Sequence, residues 1–385
     1  MIAIFDRDKL LTALGPLMYT VSGKNTMACI EGLLLHCNEE NLCTMTSYDL
    51  EKGMRTQVEC EVLEMGKCII NANKLLQIVK TMPKGKIKLT VEPNFKTTIE
   101  SENGLSHFDI KALSASEFPT LPELRADRGF KIPQYLFKKF VNRVLFAVGQ
   151  NDSRPVFNGA YFEIIGKKMV IVSCDGNRLA QVEYEAEFEN TNDNKNPLYL
   201  LFIVPGKTLV ELMKLVKDTE EAMEIRVANR QLFFMVGKYI LFSKKIESAY
   251  IDYERILPKE NQTNIEFTLN AEDLRGAFER SSLIIEDNLA GTLRPYVKFT
   301  IDEVLSISTL SSNGNVYDEI EIEKLKGEEL VIAFNCKFFL DALKVCDNGK
   351  MKLSFVNPLT GVLIEPQNQD EGKFTYFVMP MRMTH

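Results

Sequence analysis

A chain of 385 residues that is 45% hydrophobic and 26% charged can bury the cores of about two to four domains, which excludes a disordered or low-complexity protein. No apolar run approaches the roughly 18 residues of a membrane span, and Asp6 and Asp8 stand where a secretory leader needs a basic region, so a cytosolic, membrane-free protein is expected. Eight cysteines without a C-x-x-C pair, with three histidines, fit neither a disulfide framework nor a zinc site; reduced, mostly buried thiols and no metal or cofactor are expected.

In chain order, "DRDKLLTALGPL" from Asp6 has apolar residues at helical spacing behind an N-cap residue. The stretch from Cys29 to Val62 reads as strand, turn, strand, strand, with Asn38 to Asn41 at the turn. "NANKLLQIVK" from Asn71 predicts a second helix, "GKIKLTVE" from Gly85 an alternating strand, and Asn103-Gly104 a hairpin turn in which both residues need positive φ. Pro119 and Pro122 break regular structure, and a linker is expected near 120–128. "PQYLFKKFVNRVLFAV" from Pro133 is the third helix. Paired strands follow, with Asp175-Gly176 as their hairpin turn. After the polar "ENTNDNKNP" comes the helix "VPGKTLVELMKLVK" from Val204, then "AMEIRVANRQLFFMV" and a strand from Tyr239. Leu257-Pro258 marks a second boundary. The last third offers the helix "NAEDLRGAFERSSLII" from Asn270, a hairpin at Asn313-Gly314, the helix "FNCKFFLDALKV" from Phe334, the strand "GKMKLSFV" and a final strand "KFTYFVMPMRMTH".

The order repeats. Lys74, Lys207 and Lys337 fall near the start of the second helix of each third, 133 and 130 residues apart, and each of these helices is followed by a short polar turn and an alternating strand. A period that long predicts three copies of one α+β domain, each with two helices and antiparallel strands. The expected boundaries are 1–125, 126–258 and 259–385.

The net charge of −7 argues against a nucleic-acid partner, but its distribution reverses that argument. The six helical segments together carry +9, leaving −16 for strands and loops. Basic helices beside acidic sheets suit one positive surface turned to a polyanion; lysine is also simply a good helix former on solvated faces. Motifs for covalent chemistry fail. "PGKT" at 205–208 has Leu201 where a phosphate loop needs glycine. Asp175 in "CDGNRLA" is explained by its turn. His36, His107 and His385 have no evident nucleophile or metal partner. The terminal "YFVMPMRM" is unusually apolar for a chain end and suits both a core-completing strand and an adaptable surface for short apolar peptides.

"SASEFPTLPE", "SRPVFNGAYFE", "DGNRLA", "IDYERILPK", "FNCKFFLDAL" and "VMPMRM", in that order along the whole chain, resemble the bacterial sliding clamp family, the beta subunit of DNA polymerase III holoenzyme. The resemblance implies three clamp-type domains per chain and two chains closing head to tail into a ring. Helices would line the hole around double-stranded DNA bound without sequence preference, and no catalysis is implied. It carries DNA contact onto Lys24, Lys74, Gln150, Asn151 and Lys207. Helix charge alone adds Lys80, Lys138, Lys139, Arg143, Lys214 and Lys217. A cleft for short hydrophobic motifs of polymerases, clamp loader and repair proteins carries over to Phe157, Cys174, Gly176, Asn177, Arg178, Leu179, Ile251, Arg255, Ile256, Leu359, Gly361, Phe377, Met379, Pro380, Met381, Arg382 and Met383. The dimer interface carries over to Phe108, Ile110, Leu283 and Ile284. Ile251 replaces a common proline, Asn177 often a histidine, Lys24-Asn25 an arginine-bearing turn, and Thr384-His385 extend past the usual end. These departures bear on peptide preference and on DNA contact at Lys24.

Two other readings stand beside this one. A repeat-built enzyme would use Asp175 and Arg178. A clamp-like scaffold would bind proteins without encircling DNA.

Overall fold

Each third of the chain runs through the same order of elements, βαββββαβββ, in the computed structural model, which describes all residues except 24–26, 124, 195, 286–295, 312–313, 370 and 384–385, and leaves out the Leu325 side chain. The first third comprises β1 (Ile2–Asp6), α1 (Arg7–Leu17), β2 (Gly32–Cys37), β3 (Leu42–Tyr48), β4 (Lys52–Glu64), β5 (Gly66–Asn71), α2 (Ala72–Thr81), β6 (Lys86–Val91), β7 (Lys96–Ser101) and β8 (His107–Lys111). The second comprises β9 (Arg128–Pro133), α3 (Gln134–Leu145), β10 (Gly159–Ile165), β11 (Lys168–Cys174), β12 (Arg178–Glu185), β13 (Tyr199–Pro205), α4 (Gly206–Leu215), β14 (Ala222–Val227), β15 (Gln231–Val236) and β16 (Tyr239–Lys244). The third comprises β17 (Ile265–Asn270), α5 (Ala271–Ile284), β18 (Val297–Ile301), β19 (Val304–Ser311), β20 (Gly314–Glu321), β21 (Leu330–Phe334), α6 (Cys336–Val345), β22 (Lys350–Phe355), β23 (Val362–Pro366) and β24 (Lys373–Val378). Leu113–Ser114, Glu189–Asn190 and Glu323–Lys326 are short strands outside this order.

One antiparallel pairing rule serves all three thirds. The first, sixth, seventh and eighth strands form one row, and the fifth, second, third and fourth form another. Two joints then extend the sheets. β4 pairs with β16, Arg55 opposite Ile240, and β12 pairs with β24, Leu179 opposite Phe377. Each joint sets the fourth strand of one third against the eighth strand of the next. The chain accordingly divides into two units. One comprises Met1–Leu136, Phe188–Asn196 and Lys207–Lys245, the other Phe137–Glu187, Pro197–Gly206 and Ile246–His385.

In the first unit, Phe5, Phe130, Phe234 and Phe242 are fully buried. In the second, Phe278 of α5 stacks on Phe339 of α6 with ring centroids 4.5 Å apart, and Phe299 of β18 meets Phe278 edge-on at 5.7 Å. Side chains of this size supply most of the apolar area a domain removes from water. All eight cysteines are buried and unbridged. Among the described residues, no helix is long and apolar enough to cross a membrane, and no group of three or more His, Cys, Asp or Glu is placed to hold a metal ion.

The helix starts follow local chemistry. The Asp6 carboxylate accepts from the N–H groups of Asp8 and Lys9. Asn71 accepts from Lys74, Asn270 from Glu272 and Asn335 from Phe338. Each cap satisfies a donor that the first helical turn leaves without a partner. The caps also correct the repeat register. Lys207 and Lys337 are the second residues of α4 and α6, but Lys74 is the third of α2, which turns it about 100° around the helix axis.

The turns differ in detail from expectation. Between β7 and β8 the loop is longer than two residues: Ser101 and Ser106 close it by a main-chain hydrogen bond, and only Gly104 takes positive φ, at +68°. Asn103 serves by its side chain, accepting from the N–H of Leu105, an Asx-type turn. At the next hairpin, the Asp175 N–H donates to the Arg178 carbonyl, so the central residues are Gly176 and Asn177, with Gly176 at φ +89°. The connection from Ser311 to Gly314 lies partly outside the described residues, Asn313 included.

Candidate functional site

Alternation along β11, β12 and β24 brings Val172, Cys174, Leu179 and Phe377 to one face of the nine-stranded sheet. There they join Phe157, Val170, Leu363 and Tyr253 in a buried apolar cluster, against which Val156, Tyr161, Tyr250, Ile251 and Leu257 pack. Tyr161 and Tyr250 stack at 4.9 Å, and the Tyr250 hydroxyl donates to the Val172 carbonyl. Burial pushes the Cys174 thiol up, so it stays neutral and acts as a small apolar side chain. Gly361 sits under this floor with no room for a side chain: a Cβ there would lie 2.5 Å from the Val378 carbonyl oxygen and 2.6 Å from the Phe377 ring.

The rim is open. Met379 and Ile256 are 39% and 37% exposed. Leu359 stands out from the loop between β22 and β23, where the Asn357 side chain accepts from the N–H groups of Leu359 and Thr360. The terminal segment is held by its backbone: Met379 N–H donates to the Asn177 carbonyl at 2.8 Å and Met381 N–H to the Ala333 carbonyl at 2.7 Å, with Pro380 bridged to Phe334. Arg382 and Met383 are exposed beyond it. Arg255 is exposed and paired with Asp252.

Arg178 does not present its charge to the cleft. It is only 9% exposed. Its Nε donates to Asp175 at 2.9 Å and its Nη1 to Asp341 of α6 at 2.7 Å, and its guanidinium lies over the Phe338 ring at 4.7 Å. It is a tie between hairpin and helix. Asp175, taken up by its turn and by Arg178, is likewise a structural group.

Sequence reasoning missed Arg154, Val172, Tyr253, Tyr250, Tyr161 and Leu363. Arg154 makes a two-pronged contact with Asp152, lies 4.1 Å over the Phe157 ring and approaches Gly176. The Arg154 side chain and backbone N–H hold the Asp152 carboxyl down at about 2. The apolar run of β11 signals a strand buried on both faces, but not which face meets the cleft.

On α2, Lys74 and Lys80 are exposed while Leu75, Ile78 and Val79 are buried. On α4 and just past its end, Lys207, Lys214 and Lys217 are exposed on one face with Val210, opposite buried Leu209 and Leu212. Lys214 also pairs with Glu211. Gln150 and Asn151 are exposed after α3, Asn151 with φ at 55°. Lys24 lies outside the described residues.

The basic residues of α3 depart from expectation. Arg143 is buried, with Nη2 on Asp347 and its guanidinium 4.9 Å from the Phe374 centroid. Lys139 pairs with Glu371 at 2.6 Å, and Lys138 is half-buried and engaged with a neighbour. Charge counting missed this because Asp347, Glu371 and Phe374 all come from the last third of the chain.

β8 is an edge strand, with Phe108 exposed and Ile110 half-buried. Leu283, 83% exposed, and the half-buried Ile284 end α5. Beside α5 runs a second edge strand, β20, which the sequence did not single out; Arg280 of α5 holds Asp318 of β20 at 2.7 Å.

Three tandem domains of one topology, with edges left unpaired among the described residues at the eighth strand of the first and the fourth strand of the last, define a clamp-type protein. Family models of the DNA polymerase III beta subunit match its N-terminal domain at residues 1–122, its central domain at 131–252 and its C-terminal domain at 254–382. The chain is 29% identical over 383 residues to a beta sliding clamp of Halalkalibacterium halodurans, covering 96% of this chain and 97% of that one. It is 27% identical to one of Staphylococcus epidermidis, covering 98% of each. Among solved structures, a putative DNA polymerase III beta subunit from Eubacterium rectale superposes with a TM-score of 0.90 at 26% identity, covering 100% of both chains. A sliding clamp from Pseudomonas aeruginosa bound to griselimycin gives 0.86 at 26%, again over 100% of both. The chain belongs to the DNA polymerase III beta subunit family.

Proposed function

We propose that this protein is a cytoplasmic DNA sliding clamp that makes the replicative DNA polymerase processive by encircling duplex DNA, and that it performs no covalent chemistry. Its domains follow the repeat, at 1–125, 126–258 and 259–385. The observation that carries the ring is topological. Both joints within the chain pair a fourth strand with an eighth, and the strands this rule leaves over are β8 and β20. Pairing β20 of one copy with β8 of another extends the rule to a head-to-tail contact, which must close to avoid a filament. It also covers two edges that would otherwise invite aggregation. Phe108, Ile110, Leu283 and Ile284 supply apolar surface to that contact. The family resemblance implies a ring of two chains, so the mass expected in solution is twice the 43.9 kDa of the chain.

Lys74, Lys80, Lys207, Lys214 and Lys217, with Gln150 and Asn151, meet phosphates, which position a duplex without reading its sequence and so permit sliding. The apolar cleft docks short hydrophobic motifs of polymerase subunits, clamp loader and repair proteins, through the buried floor around Phe377 and Leu179 and the open rim of Met379 and Ile256. A labelled preparation loaded on nicked circular DNA persists and is lost when the circle is linearised; equal loss from both forms overturns the ring. Charge reversal of Lys74 and Lys207 together shortens retention or slows loading, whereas unchanged behaviour favours the scaffold that binds proteins alone.

A further inference from the structure

The face of the sheet that forms the cleft floor does not end at Leu179, Phe377 and Leu363. Two residues further along the same strands, and so on the same face, stand Gln181, Thr375 and Glu365. Gln181 is directly opposite Thr375, and Ser354 of β22 is directly opposite Leu363. A cavity of about 410 Å³ opens there, lined by these residues and walled by the segment from Leu257 to Glu260. Leu363 belongs both to this cavity and to the apolar cluster under the cleft, so the cavity adjoins the cleft floor along one face.

The cavity is polar and incompletely satisfied. Ser354 is 2% exposed, and its hydroxyl has no hydrogen-bond partner among the described residues, a condition that folding penalises unless a ligand or water supplies the missing bond. Glu266 is fully engaged, by Lys352 at 2.8 Å and by the Thr263 hydroxyl. Glu183 is engaged by Lys168 and by the Gln181 amide. Glu365, only 23% exposed, is held less closely. Its ion-pair partner Lys373 stands at 3.9 Å, the outer limit of an ion pair, with 55% of its own side chain in solvent. Four glutamates line the space against three lysines. A carboxylate brought in would meet like charge, and an apolar side chain would leave Ser354 without a hydrogen bond and Glu365 with only its distant lysine. A cationic side chain with several N–H donors satisfies both, because each offers an acceptor.

We infer that this cavity is a polar extension of the peptide cleft that takes a basic residue, arginine or lysine, flanking the apolar motif of a docking partner, with Glu365 as its ion-pair partner and Ser354 as a hydrogen-bond acceptor. The inference rests on the reading of the cleft as a peptide site and adds to it a rule of partner choice.

The test uses the full chain and fluorescence anisotropy with short synthetic peptides. Each carries the same apolar anchor and either arginine, glutamine or glutamate placed before it or after it. On one of the two flanks, arginine tightens binding about fivefold over glutamine, and glutamate weakens it. Glu365→Gln reduces the arginine gain to less than twofold while the glutamine-flanked peptide binds as before. Glu220→Gln, which removes the same charge from an exposed position elsewhere, leaves the gain intact. An anchor that binds equally with arginine, glutamine or glutamate on both flanks overturns the inference and leaves the cleft standing. So does an arginine gain that survives Glu365→Gln or disappears equally in Glu220→Gln. An anchor that does not bind, or whose affinity is indifferent to Met379→Ala, overturns the cleft reading and this inference with it.

Discussion

The rim of the cleft permits a test in which peptide affinity and folding separate. Met379 and Ile256 are 39% and 37% exposed in the free chain, so about two-fifths of each side chain remains for a peptide to cover. Full burial of such a side chain is worth roughly 1.5–3 kcal/mol, which makes the remaining share about 0.6–1.2 kcal/mol for each residue. The double variant Met379→Ala/Ile256→Ala therefore loses about 1.2–2.4 kcal/mol of peptide binding, roughly 8- to 60-fold in Kd. Anisotropy of a labelled apolar peptide reads the affinity, and circular dichroism with thermal melting shows that the fold persists. Leu201→Ala is the control: Leu201 is 41% exposed on β13, the edge strand at the far end of the sheet from the Glu323–Lys326 strand, and its truncation leaves binding within twofold. A folded double variant that binds within twofold of the parent, or a Leu201→Ala effect of equal size, refutes the assignment of the rim.

Arg178→Met leaves the Asp175 and Asp341 carboxylates, 14% and 25% exposed, without their common cation. Breaking a fully buried pair costs about 3–5 kcal/mol, and this partly exposed one about 2–3 kcal/mol, read as a fall in the urea midpoint at unchanged slope. Arg255→Met, whose pair is at the surface with the arginine 86% exposed, costs less than about 0.5 kcal/mol; equal effects contradict the structural role of Arg178. Asp152 provides the pH test. Its folded carboxyl is held below the ordinary 3.8, at about 2, by Arg154, so its stabilisation is present above pH about 4 and is lost as pH falls through about 2. Carbon NMR of the Asp152 carboxyl gives a midpoint near 2 in the parent and a higher one in Arg154→Ala; coincident midpoints reject the pairing.

How far the site was legible varies with the range of the interactions involved. Phe157, Cys174, Leu179 and Phe377 were expected together from the family resemblance and do share one cluster. Tyr253 and Leu363 were not, because strand alternation places a residue on a face without saying what covers that face. Arg178 was read as a cleft residue, yet its partner Asp341 is 163 positions away, and nothing near Arg178 in the chain announces it. Arg143 was counted as a cation for DNA, and Asp347 withdraws it across 204 positions. Spacing sets Lys74 beside Lys207 and Lys337, whereas the helix starts place it one residue later than the other two.

The sequence alone determined the six helices, the start signals at Asp6 and Asn270, and the threefold repeat of one α+β unit. These depend on spacing and on side chains bonding to backbone groups a few residues away, so a linear reading contains them. Only the tertiary structure decided that each fourth strand joins the next eighth, that β8 and β20 remain as edges, and that Arg143 and Arg178 turn inward. Those outcomes follow from strand pairing and charge pairing over long separations, where many partners are chemically equivalent and packing selects one.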